Sequence, residues 1–153
     1  MNRRGLSALF FLFATACLDA RSACPGAFCT CTGTDCACLG GRACGSTCGD
    51  DCRFACGSNG DCTYTCGANC QSFCPSGASC QVTAGASSRV GCEASTCSVS
   101  LGPGSQMSCT SGADCSIGCS GSCMVDCSSA AHCQLACSGQ PARDLTGTGG
   151  ICP

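Results

Sequence analysis

From residue 38 to about residue 145 the chain is written in five-residue phrases of the form Cys-x-apolar-x-Cys. Cys115-Ser116-Ile117-Gly118-Cys119, Cys123-Met124-Val125-Asp126-Cys127 and Cys133-Gln134-Leu135-Ala136-Cys137 are the clearest. Alternation at period two places both cysteines and the central residue on one face of a strand. The intervening Ser, Thr, Gln, Gly and Arg fall on a solvated face. Cysteine steps of four residues run through Cys44, Cys48, Cys52 and Cys56, through Cys62, Cys66, Cys70 and Cys74, and through Cys115, Cys119, Cys123 and Cys127. Longer gaps separate these blocks, giving an 18-residue repeat with a one-residue deletion between Cys92 and Cys97.

Each repeat predicts two short strands joined alternately by a short turn such as Ser120-Gly121-Ser122 and a longer one such as 128–132. Such a unit cannot bury a face alone, and stacking on its neighbours at about 4.8 Å solves this. The expected fold is therefore all-β: a narrow, disulfide-stapled β-solenoid with two strands per coil. Across its core Ser46 is expected to face Phe54, Tyr64 to face Ser72, Val82 to face Val90, Val99 to face Met107 and Ile117 to face Val125, which keeps the thickness constant. A disulfide-linked meander of β-hairpins is the alternative, since three-residue loops also suit hairpins.

Composition sharpens this picture. Cysteine supplies 25 of 153 residues, with 22 Gly and no Trp, so cross-links must replace a conventional core. The degenerate coils indicate the pairing. Where the repeat calls for cysteines the chain has Ala84 with Ser88, and Leu101 with Ser105, so the two members of a short turn are lost together. Joint loss is expected of disulfide partners, which pairs Cys48 with Cys52, Cys66 with Cys70, and Cys119 with Cys123. The longer turn gives Cys38 with Cys44, Cys56 with Cys62, Cys74 with Cys80, Cys92 with Cys97, Cys109 with Cys115, and Cys127 with Cys133. Cys137 with Cys152 is the natural C-terminal clasp, while Cys24, Cys29, Cys31 and Cys36 stay unassigned. Bridges between equivalent cysteines of adjacent coils compete with this scheme on Cα spacing.

Residues 1–16 carry a basic start, Arg3 and Arg4, followed by an apolar stretch too short to span a bilayer, and so form an export signal. Ala14-Thr15-Ala16-Cys17 resembles the lipobox of bacterial lipoproteins, which implies that Cys17 is acylated and becomes the mature N-terminus. Ala14 departs from the usual Leu, and ordinary cleavage before Cys17 is the alternative. Parity favours lipidation, because removing Cys17 from the odd total leaves an even set that disulfides can close. The expected organisation is a signal peptide over 1–16, an acylated tether and N-cap over 17–37, solenoid repeats over 38–145 and a C-terminal cap over 146–153. Leu18 and Asp19 after the lipid site resemble, by enterobacterial sorting rules, a sequence without a strong inner-membrane retention signal, which implies the outer membrane or cell surface; a secreted or periplasmic protein is the alternative.

Charge excludes more than it suggests. A net charge of -2, with no Lys, offers no basic stripe for nucleic acid. His132 is the single histidine and is expected in a turn, so neither a catalytic triad nor a multi-histidine metal site can be built. Asp50, Asp51, Asp61 and Asp114 read as solvated turn carboxylates, without the nonapeptide of calcium-binding β-rolls. Gly102-Pro103-Gly104 and Gly147-Thr148-Gly149-Gly150 read as turns, not phosphate loops. Cys29-Thr30-Cys31 and Cys36-Ala37-Cys38 resemble metallothionein spacing, so metal sequestration by thiolates is a competing expectation. Thr47, Thr65 and Thr83 line up, but Gly45, Thr63 and Gln81 beside them break an ice-binding array. Arg53 and Arg89, with Gln71 between them on one outer face, could engage an acidic ligand. No enzyme activity, cofactor or resident metal is expected.

The phrases Cys115-Ser116-Ile117-Gly118-Cys119, Ser120-Gly121-Ser122-Cys123 and Cys123-Met124-Val125-Asp126-Cys127 together resemble the Cys-x-Val-x-Cys repeat lipoproteins of myxobacteria. The resemblance covers residues 38–145 and the lipobox, and it speaks to architecture rather than activity. It implies a membrane-tethered surface lipoprotein whose rigid domain serves envelope structure or contact. A surface carbohydrate or ligand-binding module is a further expectation.

Overall fold

The computed structural model describes residues 35–38, 43–93 and 95–153 in full, with the strand backbone of 21–24 and 28–30. The export segment 1–16, Cys17 and Cys31 lie outside the described residues. One sheet contains β1 (Arg21–Cys24), β3 (Asp35–Cys38), β5 (Arg53–Ala55), β7 (Gln71–Cys74), β9 (Arg89–Glu93), β11 (Ser105–Thr110), β13 (Cys123–Asp126) and β16 (Gly149–Cys152). The other contains β2 (Phe28–Thr30), β4 (Ala43–Thr47), β6 (Asp61–Cys66), β8 (Ser79–Ala84), β10 (Thr96–Leu101), β12 (Asp114–Cys119), β14 (His132–Cys137) and β15 (Arg143–Asp144). Successive strands alternate between the sheets. Within each sheet, strands one coil apart pair in parallel, as Cys62 beside Cys80 and Cys97 beside Cys115 show. The protein is thus an all-β solenoid with two strands per coil. A hairpin meander would pair consecutive strands antiparallel and is not the fold.

The period-two pattern is visible in burial: β6 and β8 alternate exposed and buried along their whole length. Inward positions form a thin core of cysteine sulfur plus one central side chain per strand, including Tyr64, Val82, Val99, Ile117 and Leu135. The thickest point is shared differently from the simple facing scheme. Phe54 stacks on Tyr64 of the following strand, with ring centroids 4.1 Å apart and an interplanar angle of 26°.

Four short turns pass through the left-handed region at a fixed place, occupied by Asp51, Asn69, Ser87 and Gly104, whereas the turn 120–122 does not. Asn, Asp and Gly tolerate this conformation at low cost, which accounts for three of the four. Gly85 opens its turn so close to the coil beneath that a Cβ would lie 2.5 Å from the Gly67 carbonyl oxygen. The stack ends by reversal of the chain. β15 runs antiparallel to β14, and β16 antiparallel to β13. These two strands cover edges that would otherwise present open backbone. Arg143 ties the two capping strands together by donating to the Ile151 carbonyl at 2.6 Å.

Candidate functional site

Disulfides occupy both turn corners. The longer turn is closed by Cys38–Cys44, Cys56–Cys62, Cys74–Cys80, Cys92–Cys97, Cys109–Cys115 and Cys127–Cys133, and the short turn by Cys48–Cys52 and Cys66–Cys70. Cys137–Cys152 clasps the C-terminal strand. Their Cα separations of 5.5–6.6 Å fall in the ordinary range for a bridge within one coil. Cys36 is also disulfide-bonded.

Cys119 and Cys123 depart from the expected pairing: both are buried free thiols. The Cys123 thiol lies beside Cys119 and also 3.7 Å from the Gly102 carbonyl oxygen of the preceding coil. Burial, followed by the neighbouring Cys123, pushes the Cys119 thiol up to about 12. Cys119 lies in a groove of about 470 Å³ among Leu101, Gly102, Ser120 and Cys137. At neutral pH it stands as a protonated, weakly nucleophilic thiol.

Where the repeat omits its cysteines, the structure places a serine ladder that sequence reasoning missed. Cys70 N donates to Ser88 Oγ, Ser88 N donates to Ser105 Oγ, each at 3.1 Å, and Ser105 Oγ donates to the Gly85 carbonyl at 3.2 Å. Both serines are fully buried. A hydroxyl almost the size of a thiol thus replaces a covalent link within one coil by hydrogen bonds between coils. The signal in the sequence was that the lost cysteines at 88 and 105 became Ser.

The metal-ligand candidates resolve by chemistry. The sulfurs of Cys52, Cys66 and Cys70 converge within 4.8 Å, as do those of Cys74, Cys80 and Cys97, but all six belong to disulfides. A disulfide sulfur lacks the thiolate charge that binds Zn or Cu(I), so these clusters do not fit a metal. Asp50 is engaged structurally, its Oδ1 accepting from the Ala68 amide of the next coil at 2.7 Å. His132 is exposed and begins β14, so it lies at the strand start and not in the turn. Asp126 and Asp144 are held below the usual carboxylate range by hydrogen bonds from Ser128 and Thr146.

Among the described residues the outer face of the β1-to-β16 sheet departs from a small, polar surface at two places, the exposed pair Met124 and Ile151 near the C-terminal end and a cluster nearer the middle. Arg53, Gln71 and Arg89 stand in register on three successive coils. Phe73, 44 % exposed, stands beside them. Gly91 follows Phe73 in register, and a Cβ there would lie 3.3 Å from the Phe73 ring. These residues line a groove of about 440 Å³. The arginines were visible in the sequence. Phe73 was not singled out, although an aromatic at an outward position was the available signal.

Among the described residues no helix is long and apolar enough to cross a membrane. Nine disulfides among those residues fit an oxidising, extracytoplasmic compartment. Compared with protein-family models, curated proteins and solved structures, the chain matches none.

Proposed function

We propose that this is an exported lipoprotein, tethered through acylated Cys17 to the outer membrane or cell surface, whose rigid solenoid serves envelope structure or surface contact without catalysis. We place it, by its phrases and lipobox, with the Cys-x-Val-x-Cys repeat lipoproteins. The observation that carries the reading is the column of six long-turn disulfides, one per coil, along a rod whose core is only one central side chain deep per strand. Eight stacked strands give a rod of roughly 34 Å, from seven spacings of about 4.8 Å. Each small-loop bridge contributes about 2 kcal/mol by chain entropy, with incomplete additivity. Such a rod holds its shape outside the cell and leaves both sheet faces free for contact. The odd cysteine total supports Cys17 as the residue set apart for lipid.

The test is metabolic labelling with a palmitate analogue, followed by detergent phase partitioning of wild type and Cys17→Ser. Labelled, detergent-phase wild type and unlabelled, aqueous Cys17→Ser are expected. A Cys17→Ser protein that stays in the membrane fraction overturns the tether.

A further inference from the structure

We propose that the groove formed by Arg53, Gln71, Phe73 and Arg89 is a binding site for a linear acidic polysaccharide bearing one carboxylate per disaccharide. The site goes beyond the structural role and does not depend on the lipid anchor.

Arg53 and Arg89 project from the same sheet face two coils apart, with Gln71 in register between them. Parallel strand spacing therefore sets the two arginines about 10 Å apart along the rod. Among the described residues neither guanidinium has an ion pair or a hydrogen bond, so both forks are open to solvent. A guanidinium matches a carboxylate by two parallel hydrogen bonds, which makes a pair at fixed spacing a ruler for carboxylates. The advance of one disaccharide along an extended β-linked chain is close to this spacing. An extended peptide is a poorer match, because its carboxylates on one face fall about 7 Å or about 14 Å apart.

Phe73 adds the second half of the recognition. Its ring leans onto Gly91, the residue one coil further on, where any side chain would displace it. The position thus keeps an apolar ring beside the arginine column, where the C–H face of a sugar can stack between two bound carboxylates. Gln71 supplies an amide donor and acceptor for sugar hydroxyls at the midpoint. Nearby acids mark the limits of the site. Asp35 is in register with Arg53 one coil back, Glu93 lies four residues beyond Arg89 on β9, and Asp126 follows Gly91 two coils on. These charges repel a polyanion that strays from the two arginines and confine it to the span between them.

The experiment is calorimetric titration of the oxidised full-length protein in detergent with a hyaluronan decasaccharide, whose glucuronate alternates with a neutral sugar. The comparison ligands are a neutral chitin oligosaccharide and a poly-glutamate peptide of similar length. Binding to the decasaccharide is expected, weakened about tenfold by Arg53→Gln or Arg89→Gln singly, lost in the double variant, and weakened again by Phe73→Ala. All three side chains are exposed, so the variants should keep native mass without reduction and native circular dichroism. Absence of binding, or binding unchanged in the double variant, overturns the site. Equal or tighter binding of poly-glutamate overturns the glycan assignment in favour of an acidic peptide. Loss of the lipid tether in Cys17→Ser leaves the titration unaffected, so the two proposals fail separately.

Discussion

Tyr64 is the largest fully buried side chain of the rod, 1 % exposed, and its hydroxyl has no hydrogen-bond partner; nor do the hydroxyls of Ser46 and Ser72 in the same part of the core. Burial holds the phenol well above the usual tyrosine value of 10.0. A buried polar group left without a partner costs about 1 to 3 kcal/mol. Tyr64→Phe removes that cost and preserves the stack on Phe54, so it is expected to stabilise the surrounding coils by about 1 kcal/mol. A rod cross-linked in every coil need not unfold as one unit, and hydrogen exchange of the β6 and β8 amides is the suitable local assay. Those amides should exchange about fivefold more slowly in the variant, the factor that corresponds to 1 kcal/mol. The difference should widen in alkali. Because the folded-state pKa lies above that of an unfolded tyrosine, ionisation of the phenol leaves wild-type stability unchanged below pH 10 and lowers it as pH rises beyond that value. Tyr64→Phe has no such loss. Faster exchange in Tyr64→Phe, together with non-additive coupling to Ser72→Ala, would refute the reasoning by showing that the two hydroxyls are bonded to each other.

Three further outcomes follow from the coil geometry. Alkylation without reduction should label Cys119 and Cys123 only after denaturation, because both thiols are buried and the first is pushed up to about 12; a peptide cross-linked between them would show that this turn closes like its neighbours. Gly85→Ala should loosen the stack by about 1 to 3 kcal/mol, since the added methyl meets the Gly67 carbonyl, and wild-type exchange protection in β6 and β8 would contradict that close approach. Removing one bridge as Cys74→Ser with Cys80→Ser should lower the local free energy of opening by about 2 kcal/mol, measured by the same exchange, with unchanged protection as the contrary result.

Much of the architecture was legible because a short repeat imposes its own register. An 18-residue period with cysteines at every second inward position leaves one way to stack coils with sulfur beneath sulfur. Cys62, Cys80, Cys97, Cys115 and Cys133 accordingly form one column. Joint loss of partners identified the short-turn pairing because a disulfide is a property of two residues at once. That logic stops at Cys119 and Cys123, whose spacing matches two bridged turns but which stand as free thiols.

What the sequence by itself determined was the period, the alternation of faces and the cysteine corners, all of which are relations within one coil. The tertiary structure decided the relations between coils: Ser88 bonded to Ser105, Phe54 stacked on Tyr64, the reversed cap at β15 and β16, and Phe73 leaning on Gly91 beside two open arginines. The physical reason is range. Backbone periodicity fixes where a side chain leaves its own strand, whereas its partner a full coil away is selected by packing and hydrogen-bond direction once the stack has formed.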